Sequence, residues 1–292
     1  MSKRHISPAV RAALWMLGAV VSLSAMAIGG RELSAELSTF QILFFRSLVG
    51  LAVIAALLQR SGWGQVRTRV FGLHLVRNVS HYAGQFGWFF ALGVIPLSEV
   101  FAIEFTTPIW TALLAALVLG ERMNKLRMAA VAVGFVGVLV ILRPGISAVS
   151  VGSLSVLGAA GAYALTYIMT KKLTGTETPL SILFYMTAMQ LPLGFAAALI
   201  DWRWPQAWAW PWVFTVAITA LVAHYCMTRA FRLADATVVV PLDFLRLPLI
   251  ALLGLLLYGE ALDAWVMVGA ACVLLASWMN LKSVQPVPLR AT

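Results

Sequence analysis

The chain has 292 residues, of which 61% are apolar and only 11% charged, whereas a soluble globular chain carries about 25% charged residues. That excludes a water-soluble fold, and at about 20 residues per crossing helix it leaves room for roughly ten crossings with short loops and tails, but for no second soluble domain. The net charge of +10 does not point to nucleic acid, because the basic residues gather at every second gap between apolar runs and form no continuous face.

Taken in order, the apolar runs predict ten membrane helices near residues 11–29, 38–58, 72–92, 97–119, 126–142, 151–170, 179–200, 210–230, 236–257 and 262–281. The second, third and ninth are interrupted by charge and are placed by the turn-rich gaps around them. Gly62-Trp63-Gly64 and Arg143-Pro144-Gly145 are helix stops. Ala25-Met26-Ala27 in the first run has the small-residue pattern of a signal-peptide cleavage site, but the run outlasts a signal core of roughly 7 to 15 residues and reads as a retained helix. Fifteen Lys and Arg fall in one set of alternate compartments and three (Arg31, Arg143, Arg203) in the other. The asymmetry predicts cytoplasmic N and C termini in a plasma (inner) membrane.

Cys226 and Cys272 lie inside apolar runs without a CxxC or His/Cys cluster, so neither a disulfide framework nor a zinc site is expected. There is no GxxxxGK for ATP and no HExxH or GxSxG, so neither a cofactor nor an enzyme is expected.

The chain also matches itself. An offset of 139 residues brings Ala91 onto Ala230, Glu104-Phe105 onto Asp243-Phe244, Leu117 onto Leu256 and Gly120-Glu121 onto Gly259-Glu260. One residue more aligns Leu17-Gly18-Ala19 with Leu157-Gly158-Ala159 and Pro108 with Pro248. A repeat of five spans is odd in number, so its second copy starts on the opposite side of the membrane. The fold expected is all-α, with ten transmembrane helices as two inverted five-helix repeats over residues 1–145 and 146–292 in one membrane unit. Secondary transporters recurrently have this architecture and hold substrate near the midplane between the halves.

The segments Ala91 through Val100 (ALGVIPLSEV), Thr107-Pro108, Leu119-Gly120-Glu121-Arg122 and Gly134 through Leu142 (GFVGVLVIL) resemble the drug/metabolite transporter superfamily, and its ten-helix, EamA-type exporters most of all. Ala230, Ala236-Thr237, Pro248 and Tyr258-Gly259-Glu260 repeat the pattern more loosely. The resemblance covers about residues 11–281 and implies ten helices, both termini inside, and export of amino acids, related metabolites or drugs.

Charge inside a bilayer is costly unless it is paired or lines a solvated pathway. Five such groups fall within the spans: Arg46, Arg77, Glu104, Asp243 and Arg246. Arg46 and Glu104 both lie about 11 Å from the same end of the bundle and are expected to pair. Asp243 and Arg246 share a helix face. Both pairs read either as structural pins or as cavity groups. His81-Tyr82 and His224-Tyr225 fall near mid-membrane in corresponding spans, with an offset of 143 that separates them by about one helical turn. Asn78, His81 and Gln85 form a polar stripe that suits a cavity better than lipid. Tyr163 and Tyr167 carry hydroxyls toward the midplane, and Phe101 and Phe105 share the face of Glu104, by default as core packing. Pro108, Pro241 and Pro248 are candidate gating hinges. Trp202, Trp204, Trp208, Trp210 and Trp212 read as an interfacial anchor.

The expected function is secondary export, by alternating access, of small amphipathic metabolites, foremost neutral and aromatic amino acids. A multidrug exporter of lipophilic cations, which needs Glu104 or Asp243 left unpaired, and a metabolite uptake carrier are the alternatives. Expected partners are a small-molecule substrate, the lipid bilayer and a second copy of the chain.

Overall fold

The computed structural model describes residues 8–119, 124–143, 149–233, 243 and 245–283. Pro241, Gly120 to Arg122, Pro144-Gly145 and both chain ends lie outside the described residues. Among those described, eleven α-helices follow one another: α1 (Pro8–Leu33), α2 (Thr39–Ser61), α3 (Phe71–Val94), α4 (Leu97–Glu104), α5 (Thr107–Leu119), α6 (Lys125–Leu142), α7 (Val151–Leu173), α8 (Pro179–Ala198), α9 (Trp210–Leu233), α10 (Arg246–Tyr258) and α11 (Ala264–Ser283). With α4 and α5 as two halves of one span, these are the ten membrane helices expected. Six of them are at least 18 residues long and apolar enough to cross a bilayer. α3 has the length, at 24 residues, but carries His74, Arg77, Asn78, His81 and Gln85 and is not among the six.

The helix ends follow local chemistry. Ser38, Ser150 and Thr178 stand before α2, α7 and α8, and each side chain accepts the backbone N–H three residues on, at 3.3, 2.9 and 3.1 Å. Gly62 closes α2 at φ 98°, in backbone space that favours glycine.

The fourth span differs from expectation because it is not one helix. Pro108 has no N–H to offer the Glu104 carbonyl, and its ring crowds that oxygen. The chain therefore turns at Phe105-Thr106, and the Thr107 hydroxyl takes over, donating to the Glu104 carbonyl at 2.6 Å. Pro248 holds the matching place in the first turn of α10, where a missing N–H costs nothing.

Packing follows the repeat. α1 packs on α9 while its counterpart α7 packs on α3; α2 packs on its own counterpart α8, α6 on α11, and α4 on α10. Each of these contacts maps onto itself or onto another when the halves are exchanged, as a two-fold axis requires. Loops expected on one side meet there: Arg143 reaches Asp263 at 2.7 Å, and Arg31 pairs with Glu260 while also donating to the carbonyls of Leu92 and Ile95. At the other end, Thr68 donates to Glu177 at 2.6 Å and Thr178 to Gln65 at 3.1 Å.

The α6–α11 seam depends on absent side chains. A Cβ at Gly137 would stand 2.8 Å from the Gly269 carbonyl oxygen, and one at Gly269 would stand 2.7 Å from the Gly137 carbonyl oxygen. Neither backbone can yield without parting the helices. Gly137→Ala is therefore expected to cost about 1–3 kcal/mol, read as a lower unfolding temperature of the purified protein in detergent; an unchanged temperature would show that the seam is loose.

Candidate functional site

Two buried polar clusters occupy the space between the repeats. The first is built on α3, where Arg77, Asn78, His81 and Gln85 are each no more than 3% exposed. The α8 residue Gln190 faces them. Its amide nitrogen stands 3.0 Å from His81 Nδ1 and donates to the Asn78 carbonyl at 3.2 Å. The Gln85 amide nitrogen lies 3.4 Å from His81 Nε2, and Gln85 Oε1 accepts from Arg46 Nη1 at 3.2 Å. Arg77 donates to Asn78 Oδ1 at 2.6 Å and to Thr170 Oγ1 at 3.3 Å. The rings of His224 on α9 and Tyr163 on α7 stand 5.1 and 5.9 Å from the His81 ring. The two-fold relation thus brings the two histidines together despite their four-residue difference in alignment.

The second cluster joins α3, the end of α4 and the start of α10. Glu104 accepts from Trp88 Nε1 at 2.8 Å through one oxygen and from Arg246 at 3.1 Å through the other. Arg246 also donates to Asp243 at 2.9 Å, and its guanidinium lies 5.0 and 5.3 Å from the ring centres of Phe101 and Phe105. Cation–π attraction there adds to the ion pairs. Tyr163 and Tyr167 stand between the clusters. The first is within electrostatic reach of Arg46, Glu104 and Arg246, the second of Arg77, Glu104, Asp243 and Arg246. Tyr167 lies one turn beyond Tyr163 on the same face and is 39% exposed.

The structure corrects one expected pairing. Arg46 and Glu104 do not meet, because both oxygens of Glu104 are taken by Trp88 and Arg246 and Arg46 turns to Gln85. The pairing of Asp243 with Arg246 is as the three-residue spacing suggests. Tyr225 is not brought to the site. It packs edge-on against Trp15 at 5.8 Å and accepts from Arg229 at 3.4 Å. Tyr82 is half-buried, with a hydroxyl that has no partner among the described residues. Gln190 and Trp88 were not singled out by the sequence reading. Gln190 did leave a signal, as a lone amide in an otherwise apolar stretch of its span.

The sequence profile of the EamA-like transporter family matches residues 10–143 and again 150–282. The chain belongs to the EamA-like transporter family. It is a multi-pass membrane transporter in which each half is one EamA repeat, and the Glu104–Arg246 contact joins the two repeats. Its relatives carry several substrates by name. A riboflavin transporter of Rhizobium johnstonii is 33% identical over 93% of this chain and 91% of its own length. An S-adenosylmethionine uptake transporter of Rickettsia bellii is 26% identical over 90% of each. The pseudopaline exporter of Pseudomonas aeruginosa is 29% identical over 84% of this chain and 87% of its own length.

Between EamA repeats so joined, removing Arg246 leaves Glu104 and Asp243 in a low-dielectric interior with no cation in contact. Arg246→Leu is expected to cost about 3–5 kcal/mol of stability, measured by thermal unfolding in detergent. A midpoint equal to that of the parent would mean that water already solvates these carboxylates.

Proposed function

We propose that this protein is a secondary carrier for a neutral, planar, heavily hydrogen-bonding heterocycle of the riboflavin class, and that it works as an uptake system. The observation that carries the reading is the first cluster, in which amide, imidazole and guanidinium groups are lined by the rings of Tyr163, His224 and His81. Riboflavin offers a flat fused ring to stack on aromatic side chains and a polyhydroxyl tail for amides and imidazole to bond. The Rhizobium relative adds weight, because its name is that of a riboflavin carrier and the likeness runs over nearly the whole chain.

Charge argues against the other substrates. S-adenosylmethionine carries a sulfonium cation, which Arg46 and Arg77 would repel; no carboxylate is paired with either among the described residues. A lipophilic cation or the ammonium of an amino acid needs a free acid, and both Glu104 and Asp243 already bond Arg246. The expected amino-acid exporter is set aside for that reason, and no relative named above carries amino acids by name. On this reading His81 and Gln85 bind substrate, and Tyr163 and His224 flank it. The fifteen-to-three basic asymmetry supports cytoplasmic termini in an inner membrane.

Proteoliposomes containing the purified protein should accumulate riboflavin saturably, with no competition from S-adenosylmethionine. Non-saturable flux, or no riboflavin flux with robust S-adenosylmethionine flux, would reverse the assignment. His81→Ala should lower riboflavin transport about tenfold, the loss of one net hydrogen bond, while the protein still folds and inserts; wild-type rates would remove His81 from the site.

A further inference from the structure

Arg46 lies within α2, 3% exposed, and has one hydrogen bond, from Nη1 to Gln85. Its Nε and Nη2 are buried and have no partner among the described residues. These two N–H groups form one edge of the guanidinium and point the same way, in the geometry that grips two adjacent acceptor atoms at once. The charged groups that would neutralise it are engaged elsewhere, since Glu104 and Asp243 are both held by Arg246. Among the described residues, the groups within electrostatic reach of Arg46 are Arg77, His81, His224 and Tyr163, none of them acidic. A charged donor pair left unbonded in the membrane interior is costly, and the single bond to Gln85 does not use it.

We propose that Arg46 is the specificity-determining residue of the carrier, and that its Nε–Nη2 edge binds two adjacent acceptor atoms of the substrate. The proposal rests on the riboflavin-class reading for its ligand: the N–C=O edge of the pyrimidine portion of the flavin presents such a pair, and a carboxylate presents the same pair with full charge. Gln85 fixes the guanidinium from its opposite side, so the free edge is set in direction before a ligand arrives. The edge is covered in this conformation. The movement that admits substrate to a midplane site between inverted repeats is also what uncovers it, which ties recognition to opening.

The test uses the full-length protein in detergent and two variants, Arg46→Lys, which keeps the charge and loses the fork, and Arg46→Gln. Quenching of riboflavin fluorescence gives affinity, and unfolding temperature without ligand gives stability. Both variants should bind riboflavin about tenfold more weakly or worse, with an unfolding temperature equal to or above that of the parent. A flavin analogue altered on its benzenoid ring should show the same loss, whereas one altered at the pyrimidine carbonyls should bind parent and variants alike. Equal riboflavin affinity in parent and variants would overturn the role of Arg46 and leave the flavin assignment standing. So would lower unfolding temperatures in both variants, which would make Arg46 structural. If the parent does not bind riboflavin, the flavin assignment fails, and benzoate then decides on Arg46. Stabilisation of the parent but not of Arg46→Gln by benzoate would uphold it; no difference between them would end it.

Discussion

Hydrocarbon solvates neither a carboxylate nor a guanidinium, so a carboxylate in the interior of this bundle has to find a donor there, and the contact of Glu104 with Arg246 is where both halves of the chain answer that demand. One oxygen of Glu104 is committed to Trp88 and the other to Arg246, and Arg246 divides itself between Glu104 and Asp243 above the Phe101 and Phe105 rings. The effect on the rest of the interior is indirect but large. Two carboxylates are gathered around one guanidinium, which leaves Arg46 and Arg77 in a region that has hydrogen-bond acceptors but, among the described residues, no carboxylate partner for either.

That contact depends on a break in the fourth span. Were residues 97–119 one continuous helix, Glu104 would be a mid-helix residue with its carbonyl bonded within the helix. Pro108 denies that bond, and the helix stops at Glu104 and restarts at Thr107. Glu104 thereby becomes a terminal residue, next to Arg246 at the first position of α10. The proline at the corresponding place in the second repeat, Pro248, sits two residues after Arg246. Each proline thus marks a helix boundary beside one member of the pair.

What the sequence made readable was whatever depends on position along the membrane normal. Apolar length located the ten spans, charge asymmetry gave alternation of the loops, and the Gly, acidic and Pro coincidences at offsets of 139 and 140 residues gave the repeat. Depth alone suggested that Arg46 and Glu104 would pair, since both lie about 11 Å from the same end. Rotation about the helix axis decides partners, however, and depth carries no information on it. The turn at Phe105-Thr106 and the arrival of α10 beside α4 are tertiary facts. The symmetry did hold a clue: Asp243 aligns with Glu104, and an arginine three residues from Asp243 can serve both acids if the two-fold axis runs between them. The polar stripe of Asn78, His81 and Gln85 was readable because its spacing is local to one helix, whereas Gln190 becomes meaningful only once α8 packs beside α3.

The end of the bundle where α1 finishes is held differently from the centre. Arg31 reaches Glu260 and the carbonyls of Leu92 and Ile95, and the second oxygen of Glu260 accepts the Leu97 N–H at 2.8 Å, so α1, the α3–α4 turn and the end of α10 are tied by one arginine and one glutamate. Tyr258 adds a bond to Glu32 at 2.8 Å. These side chains are 20% and 12% exposed for Arg31 and Glu260, against 3% and 9% for Arg246 and Glu104. Partial access to water lowers the cost of separating a pair, because each charge regains hydration as it leaves. The tie at the end is therefore easier to break than the one at the centre. The harder contact to break, Glu104 with Arg246, thus stands at the centre of the bundle, and the easier one at its end.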